Sequence, residues 1–151
     1  MKSLFVLFAG HFLKHASSLL NANNITYYTN EKSEMTLPNE ASQIEVIEEI
    51  LLTFLRVFSY DSHDFVNKER FDTLMQPIID QIENTIGSWD KYEKRAKDLI
   101  VPCIASFAGA ISDDSLHKQL VYQVLLKTRH AKPYVRSCAL SALVSKAVLK
   151  V

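Results

Sequence analysis

Phe71-Asp72-Thr73-Leu74-Met75-Gln76-Pro77-Ile78-Ile79-Asp80-Gln81-Ile82-Glu83-Asn84-Thr85-Ile86 is the stretch that decides the architecture of this chain. Its apolar residues Phe71, Leu74, Met75, Ile78, Ile79, Ile82 and Ile86 return at steps of three and four, a close match to the 3.6-residue period of an α-helix over four turns. Pro77 falls inside the stripe. Proline lacks a backbone donor and crowds the carbonyl one turn back, so the sequence predicts a kink there or a helix that restarts at Pro77.

The same periodicity extends in both directions. Upstream, Asn67 stands where a helix N-cap accepts a bond from an unpaired amide, after a turn of polar residues from Ser59 to Asp64. Ile44, Ile47, Leu51, Phe54, Leu55 and Phe58 form an earlier stripe, with Glu45, Glu48, Glu49 and Arg56 on other faces. Residues 22–39 are rich in asparagine, threonine, serine and tyrosine and read as a polar, flexible loop closed by Pro38. A first amphipathic helix is expected before it, over residues 3–21.

Downstream, Gly87, Ser88 and Asp90 supply a turn, and Trp89 is expected to pack across it. The next helix, 91–111, starts with Lys91, Glu93, Lys94, Arg95 and Lys97, a run expected to face solvent, and ends apolar around Pro102. Ser112-Asp113-Asp114 offers a capping hydroxyl and two carboxylates to the positive end of another helix, whose inner face is Leu116, Leu120, Val121, Val124 and Leu125. Pro133 then opens a last helix that carries Cys138, Ala139, Ala142 and Ala147, small residues that let neighbours approach. The fold class is therefore all-α, a single helical-repeat domain over residues 1–151 built of about six antiparallel-packed helices of 15 to 20 residues.

Composition agrees with helices. Hydrophobic residues make up 48%, with three glycines and four prolines, too apolar for a disordered tail and too poor in turn formers for a many-stranded β fold. A chain of this length buries about 70% of its unfolded surface and needs no disulfides. Cys103 and Cys138 stand far apart outside any CxxC spacing and read as small core residues of a reducing compartment. Seventeen basic residues balance seventeen acidic ones, so any attraction to nucleic acid or to an anionic membrane must come from a local patch.

The opening Met1-Lys2-Ser3 and the apolar stretch from Leu4 to Gly10 imitate a signal peptide, but His11, Lys14 and His15 interrupt it. Its seven residues fall short of the roughly 18–20 that span a bilayer. The Asn24-Ile25-Thr26 glycosylation triplet would matter only in a secreted protein.

Sequence signatures of catalysis are absent. With glycines only at 10, 87 and 109 there is no phosphate-binding loop, and neither HExxH nor GxSxG occurs. Asp61, His63 and Asp64 could be drawn as a metal-dependent hydrolytic site, yet such residues cap and solvate turns. Asp113, Asp114 and His117 are equally explained by a capped helix start. No catalytic, cofactor or metal residue is expected, and the chain is read as no enzyme. The sharper feature is Lys127, Arg129, His130, Lys132 and Arg136 around Tyr134, five basic or titratable groups within ten residues. Such a turn could grip RNA phosphates or an acidic partner, although an ordinary solvated turn with cations at a helix C-terminus accounts for it too.

Several strings resemble a known family. Tyr60-Asp61, Phe65-Val66-Asn67-Lys68-Glu69-Arg70-Phe71, Leu74-Met75-Gln76-Pro77 and Asp80-Gln81-Ile82-Glu83-Asn84 are followed in register by three more. These are Ser112-Asp113-Asp114-Ser115-Leu116, Tyr122-Gln123-Val124-Leu125-Leu126-Lys127-Thr128-Arg129, and Val135-Arg136 with Ala139-Leu140. Together they look like the C-terminal-region domain of the large HEAT-repeat, U-three small nucleolar RNA-associated protein family of the small-subunit processome. The match covers roughly residues 44–143. It departs at His117, where the family favours tryptophan, and at Lys132, where an acidic residue is usual. The resemblance implies a HEAT-like α-solenoid segment and a non-enzymatic scaffold role in ribosome biogenesis, with pre-18S rRNA processing and rRNA transcription. It also implies a nucleolar location, processome proteins as partners together with pre-rRNA and small nucleolar ribonucleoprotein, and neither a membrane nor a small-molecule substrate. The alternative is a stand-alone helical-repeat adaptor that binds an acidic or amphipathic protein segment.

Overall fold

The computed structural model describes residues 2–27, 40–59 and 65–150. Its helices are α1 (Lys2–Ala22), α2 (Glu40–Ser59), α3 (Lys68–Ile79), α4 (Trp89–Arg95), α5 (Val101–Ala110), α6 (Asp114–Lys127), α7 (Pro133–Leu143) and the single turn α8 (Lys146–Leu149). A π-helical turn, Ala96–Ile100, joins α4 and α5 into one rod, so the described residues form six long helices and one short one, with no strand. Pro102 explains the π turn. The N–H it lacks cannot bond one turn back, and a wider i→i+5 turn just before it relieves the mismatch.

These helices stack as three hairpins. α1 pairs with α2, α3 with the α4–α5 rod and α6 with α7; one row runs α1, α3, α6 and the other α2, α5, α7. The chain is thus a HEAT-like α-solenoid segment, each hairpin burying its apolar stripes against the next. Phe54 and Phe58 of α2, Phe71 of α3 and Phe107 of α5 join the first two hairpins, with Phe58 and Phe107 5.0 Å apart and Phe71 stacked at 12° on Phe107. Cys103 and Cys138 are buried and unpaired.

Pro77 does not restart α3, which runs through it. The helix ends two residues later at Ile79, and a 3-10 turn, Asp80–Ile82, follows. The broken ladder leaves the carbonyls at 82, 84 and 86 to side chains from elsewhere, and the Asp80 carbonyl, which takes the Glu83 amide of the 3-10 turn, accepts a side chain as well. Asn24 Nδ2 donates to Asp80 O at 3.1 Å, and the Tyr92 hydroxyl donates to Ile82 O at 2.7 Å. Arg95 Nη2 donates to Asn84 O at 2.8 Å and to Ile86 O at 3.1 Å. Asn84 answers in turn, donating to Asn23 O and to Gln81 Oε1 and accepting from the Ile25 amide. The chain then reverses at Gly87, whose φ of +91° and closeness to Ile44 leave no room for a Cβ.

Several expectations are corrected by these contacts. Arg95 belongs to the interior and not to a solvent-facing basic run, because its guanidinium serves the carbonyls of the 80–86 turn. Trp89 does not pack across its own turn; half of it is exposed and its ring lies edge-on to Tyr134. Leu125 is exposed, since the inward face of α6 is Leu116, His117, Leu120 and Val124. Asp113, not Ser112, caps α6, its Oδ1 accepting from the Ser115 amide at 2.8 Å. Asn67 caps α3 as expected, accepting from the Arg70 amide at 2.9 Å. Of the 22–39 loop, residues 28–39 lie outside the described residues, whereas Asn24 is fully buried and Ile25–Tyr27 form a 3-10 turn. Its burial leaves the Asn24 amide of the glycosylation triplet no room for a glycan. No described helix is long and apolar enough to cross a membrane.

Candidate functional site

The 127–136 turn joins α6 to α7, and its five basic or titratable residues divide by what their side chains do. Lys127 is structural. Its Nζ lies 2.9 Å from Asp80 Oδ1 and 3.0 Å from Glu83 Oε1, with 12% of the side chain exposed, so α6 is bolted to the turn after α3. Burial alone would lower the pKa of this ammonium; the hydrogen bonds and charges of Asp80 and Glu83 outweigh burial and leave it raised.

Arg136 closes the turn on itself. Its Nη1 donates to His130 O and to Ala131 O, both at 2.8 Å, carbonyls that the end of α6 leaves exposed. His130 Nδ1 accepts from the Lys132 amide at 3.1 Å, which orients that ring. Lys132 itself holds the extended N-cap position before Pro133, the sterically expected conformation ahead of a proline. Its ammonium reaches over the Tyr134 ring, 5.9 Å from the centroid. Arg129 is exposed and its guanidinium has no ion pair among the described residues. Only Arg129 and Lys132 therefore present free charge to a partner, and the other three hold the turn that displays them.

Beside this turn lies a feature that sequence inspection did not assemble. Trp89 and Tyr92 of α4 meet Tyr134 of α7, with centroids 4.9 Å and 5.5 Å from Tyr134 and each ring inclined at 64° to it. They head a groove of about 370 Å³ between α4 and α7. Tyr92 is the fixed member, buried and hydrogen-bonded to Ile82 O. Trp89 and Glu93 on one side, and Tyr134 and Ser137 on the other, follow from helical steps of four and three. The distant pairing of residues 89–97 with 134–141 has no local signal, because it depends on how the second hairpin stacks on the third.

The other candidate groups are placed as follows. Asp61, His63 and Asp64 lie outside the described residues. Asp113 caps α6, Asp114 pairs with Lys150, and His117 Nε2 sits 3.1 Å from Ala147 O, so these three serve three separate contacts. Among the described residues no group of three histidine, cysteine or acidic side chains is arranged to hold a metal ion. Burial pushes the Cys103 thiol up to about 12 and Cys138 to about 11, the latter against the lowering effect of Tyr92 and Arg95, and neither is a thiolate at neutral pH.

Comparison with known proteins adds a lineage. The chain is 40% identical over 141 residues to HEAT repeat-containing protein 1 of Macaca fascicularis, an alignment covering 93% of this chain and 14% of that protein. HEAT repeat-containing protein 1 of Homo sapiens gives the same identity and the same share of this chain, with 6% of the human protein covered. The Danio rerio protein of that name is 40% identical over 158 residues, 97% of this chain and 7% of the relative. The chain thus spans a small fraction of the length of the curated relatives it matches. No family model matches it.

Proposed function

We propose that this chain is a non-enzymatic scaffold segment that works in early assembly of the small ribosomal subunit at the nucleolus, holding processome proteins and pre-ribosomal RNA in place. The observation that carries the scaffold half is the stack of three hairpins itself. Its side chains are spent on joining one hairpin to the next, as in the Phe58–Phe107 contact and the Lys127–Asp80 bridge, and its outward faces remain available for docking. Similarity to proteins named for HEAT repeats agrees with this. The ribosomal half rests on the ordered strings at 65–84 and 112–140, which resemble the processome family. The contact residues in this account are Arg129 and Lys132, the two free cations of the 127–136 turn.

The test is substitution of those two alone. Arg129→Ser with Lys132→Ser is expected to reduce recovery of processome proteins and pre-rRNA with the tagged chain while leaving its thermal unfolding unchanged. Unchanged recovery removes the turn from the account.

A second reading, an adaptor for an amphipathic protein segment, is favoured by the exposed Tyr122, Leu125 and Leu126 of α6, Leu140 of α7 and Val144 just after it. Crosslinking to RNA in cells separates the two, since an adaptor yields no crosslink above background.

A further inference from the structure

We propose that the groove between α4 and α7 binds an unpaired stretch of nucleic acid, stacking a base on Trp89 and Tyr134 and holding the backbone with Lys97 and Lys132. This rests on the proposed function, which holds pre-ribosomal RNA in place, and deepens it by naming the groove and the unpaired form of the strand it takes.

Three observations converge. First, Trp89 leaves half its surface in water, and its contact with Tyr134 is edge-on at 64°, so the pair offers ring surface on which a base can stack. Tyr92, buried beneath and anchored to Ile82 O, prevents the two from collapsing into the core. Second, one lysine from each of two stretches that lie far apart in sequence is found here. Lys97 lines the groove from the α4–α5 rod, while Lys132 is held at its edge over Tyr134. Aromatic faces combined with cations in a groove bind single strands without reading sequence. Third, the size suits one nucleotide: about 370 Å³ holds a base with its sugar, whereas a double helix cannot enter.

Glu93 stands on the same wall. Its carboxylate repels phosphate, so the backbone charge falls to Lys97 and Lys132, and Glu93 is left to accept a hydrogen bond from a base N–H. Ser137 and Ser141 opposite add hydroxyls that suit a sugar or a phosphate oxygen.

The experiment uses the whole chain and a fluorescein-labelled uridylate decamer, read by fluorescence anisotropy over a range of salt. Binding is expected, weakening as salt rises. Trp89→Ala should weaken it roughly five- to hundredfold, the range for losing one stacked base. Trp89→Phe should retain most of the affinity. The double variant Lys97→Ser/Lys132→Ser should lower the slope of log affinity against log salt by about 1.4, two single-strand phosphate contacts. Circular dichroism verifies that each variant is folded; should Trp89→Ala unfold, the lysine pair on the surface still decides. The inference is overturned by no binding at low salt, by unchanged affinity in the folded Trp89→Ala variant, by an unchanged salt slope in the lysine variant, or by a duplex of equal length binding as tightly. A glutamate decapeptide binding more tightly than the decamer overturns it as well and assigns the groove to an acidic protein. These outcomes are separate from recovery of processome proteins: loss of decamer binding with recovery intact removes the groove alone, and the reverse removes the ribosomal role alone.

Discussion

The ammonium of Lys127 lies 2.9 Å from the carboxylate of Asp80, a contact that ties the third hairpin to the turn that ends the first helix of the second. Glu83 shares the same cation at 3.0 Å. Lys127→Met keeps the aliphatic stem and removes the charge, which strands two carboxylates that are themselves largely covered. Breaking such a pair from one side costs about 2–4 kcal/mol, a fall in Tm of roughly 5–15 °C. Differential scanning calorimetry on the variant measures this, and Arg129→Ser, on an exposed neighbour, should move Tm by no more than about 1–2 °C.

Gly87→Ala places a Cβ 2.9 Å from Ile44 Cδ1 at a φ of +91°, a region that L residues avoid. The loss should be at least about 1–3 kcal/mol in urea unfolding. Gly109→Ala, inside α5, whose added carbon would meet Ala147 Cβ of α8 at an ordinary 3.8 Å, should be neutral or stabilising.

Phe107 contacts both Phe58 and Phe71 and is fully buried. Phe107→Ala leaves a cavity between the first two hairpins and should cost about 3–5 kcal/mol. Phe107→Leu, which refills most of that volume, should cost less than half as much. Equal losses in the two variants would mean that the site does not pack as described.

Stability should fall as pH rises above about 9. The ordinary thiol pKa is 9.0, and burial holds Cys103 near 12 and Cys138 near 11, so over that interval the unfolded chain releases protons that the folded chain keeps. Lys127 acts in the same sense from higher pH. Its folded pKa is raised above 10.5, so its ion pair contributes in full below the unfolded value and is lost as pH rises through the folded one. Urea midpoints at pH 8, 9.5 and 10.5 should decrease in that order. At pH 8 the folded protein should react negligibly with a disulfide reagent, and both thiols should react once it is unfolded in guanidinium.

The helices were legible because each buries one stripe, and a stripe leaves a period in the sequence. Asn67, Pro133 and the Phe71–Ile79 run stand where periodicity and capping chemistry put them. The stripe through Ile82 and Ile86 misled, for these two are buried by the 3-10 turn and the segment after it, not by a continued helix. A buried residue keeps its apolar character whichever backbone carries it, so the period outlives the helix. Arg95 was illegible for the opposite reason. Nothing in Lys94-Arg95-Ala96 separates a solvated cation from one that satisfies two buried carbonyls; that depends on Asn84 and Ile86 across the turn.

The candidate turn divides along the same line. Clustered charge at 127–136 was visible, but that Lys127 is not free depends on residues far away in sequence, Asp80 and Glu83. The aromatic groove was not visible at all, because Trp89 and Tyr134 lie on different hairpins. Local chemistry appears in a sequence, and stacking geometry does not.

The most direct measurement on the account as a whole is quantitative identification of the proteins and RNA recovered with the tagged chain from cells, against an untagged control. Enrichment of small-subunit processome proteins together with pre-18S RNA is the expected result. Recovery of neither above the control would contradict a scaffold role in ribosome assembly.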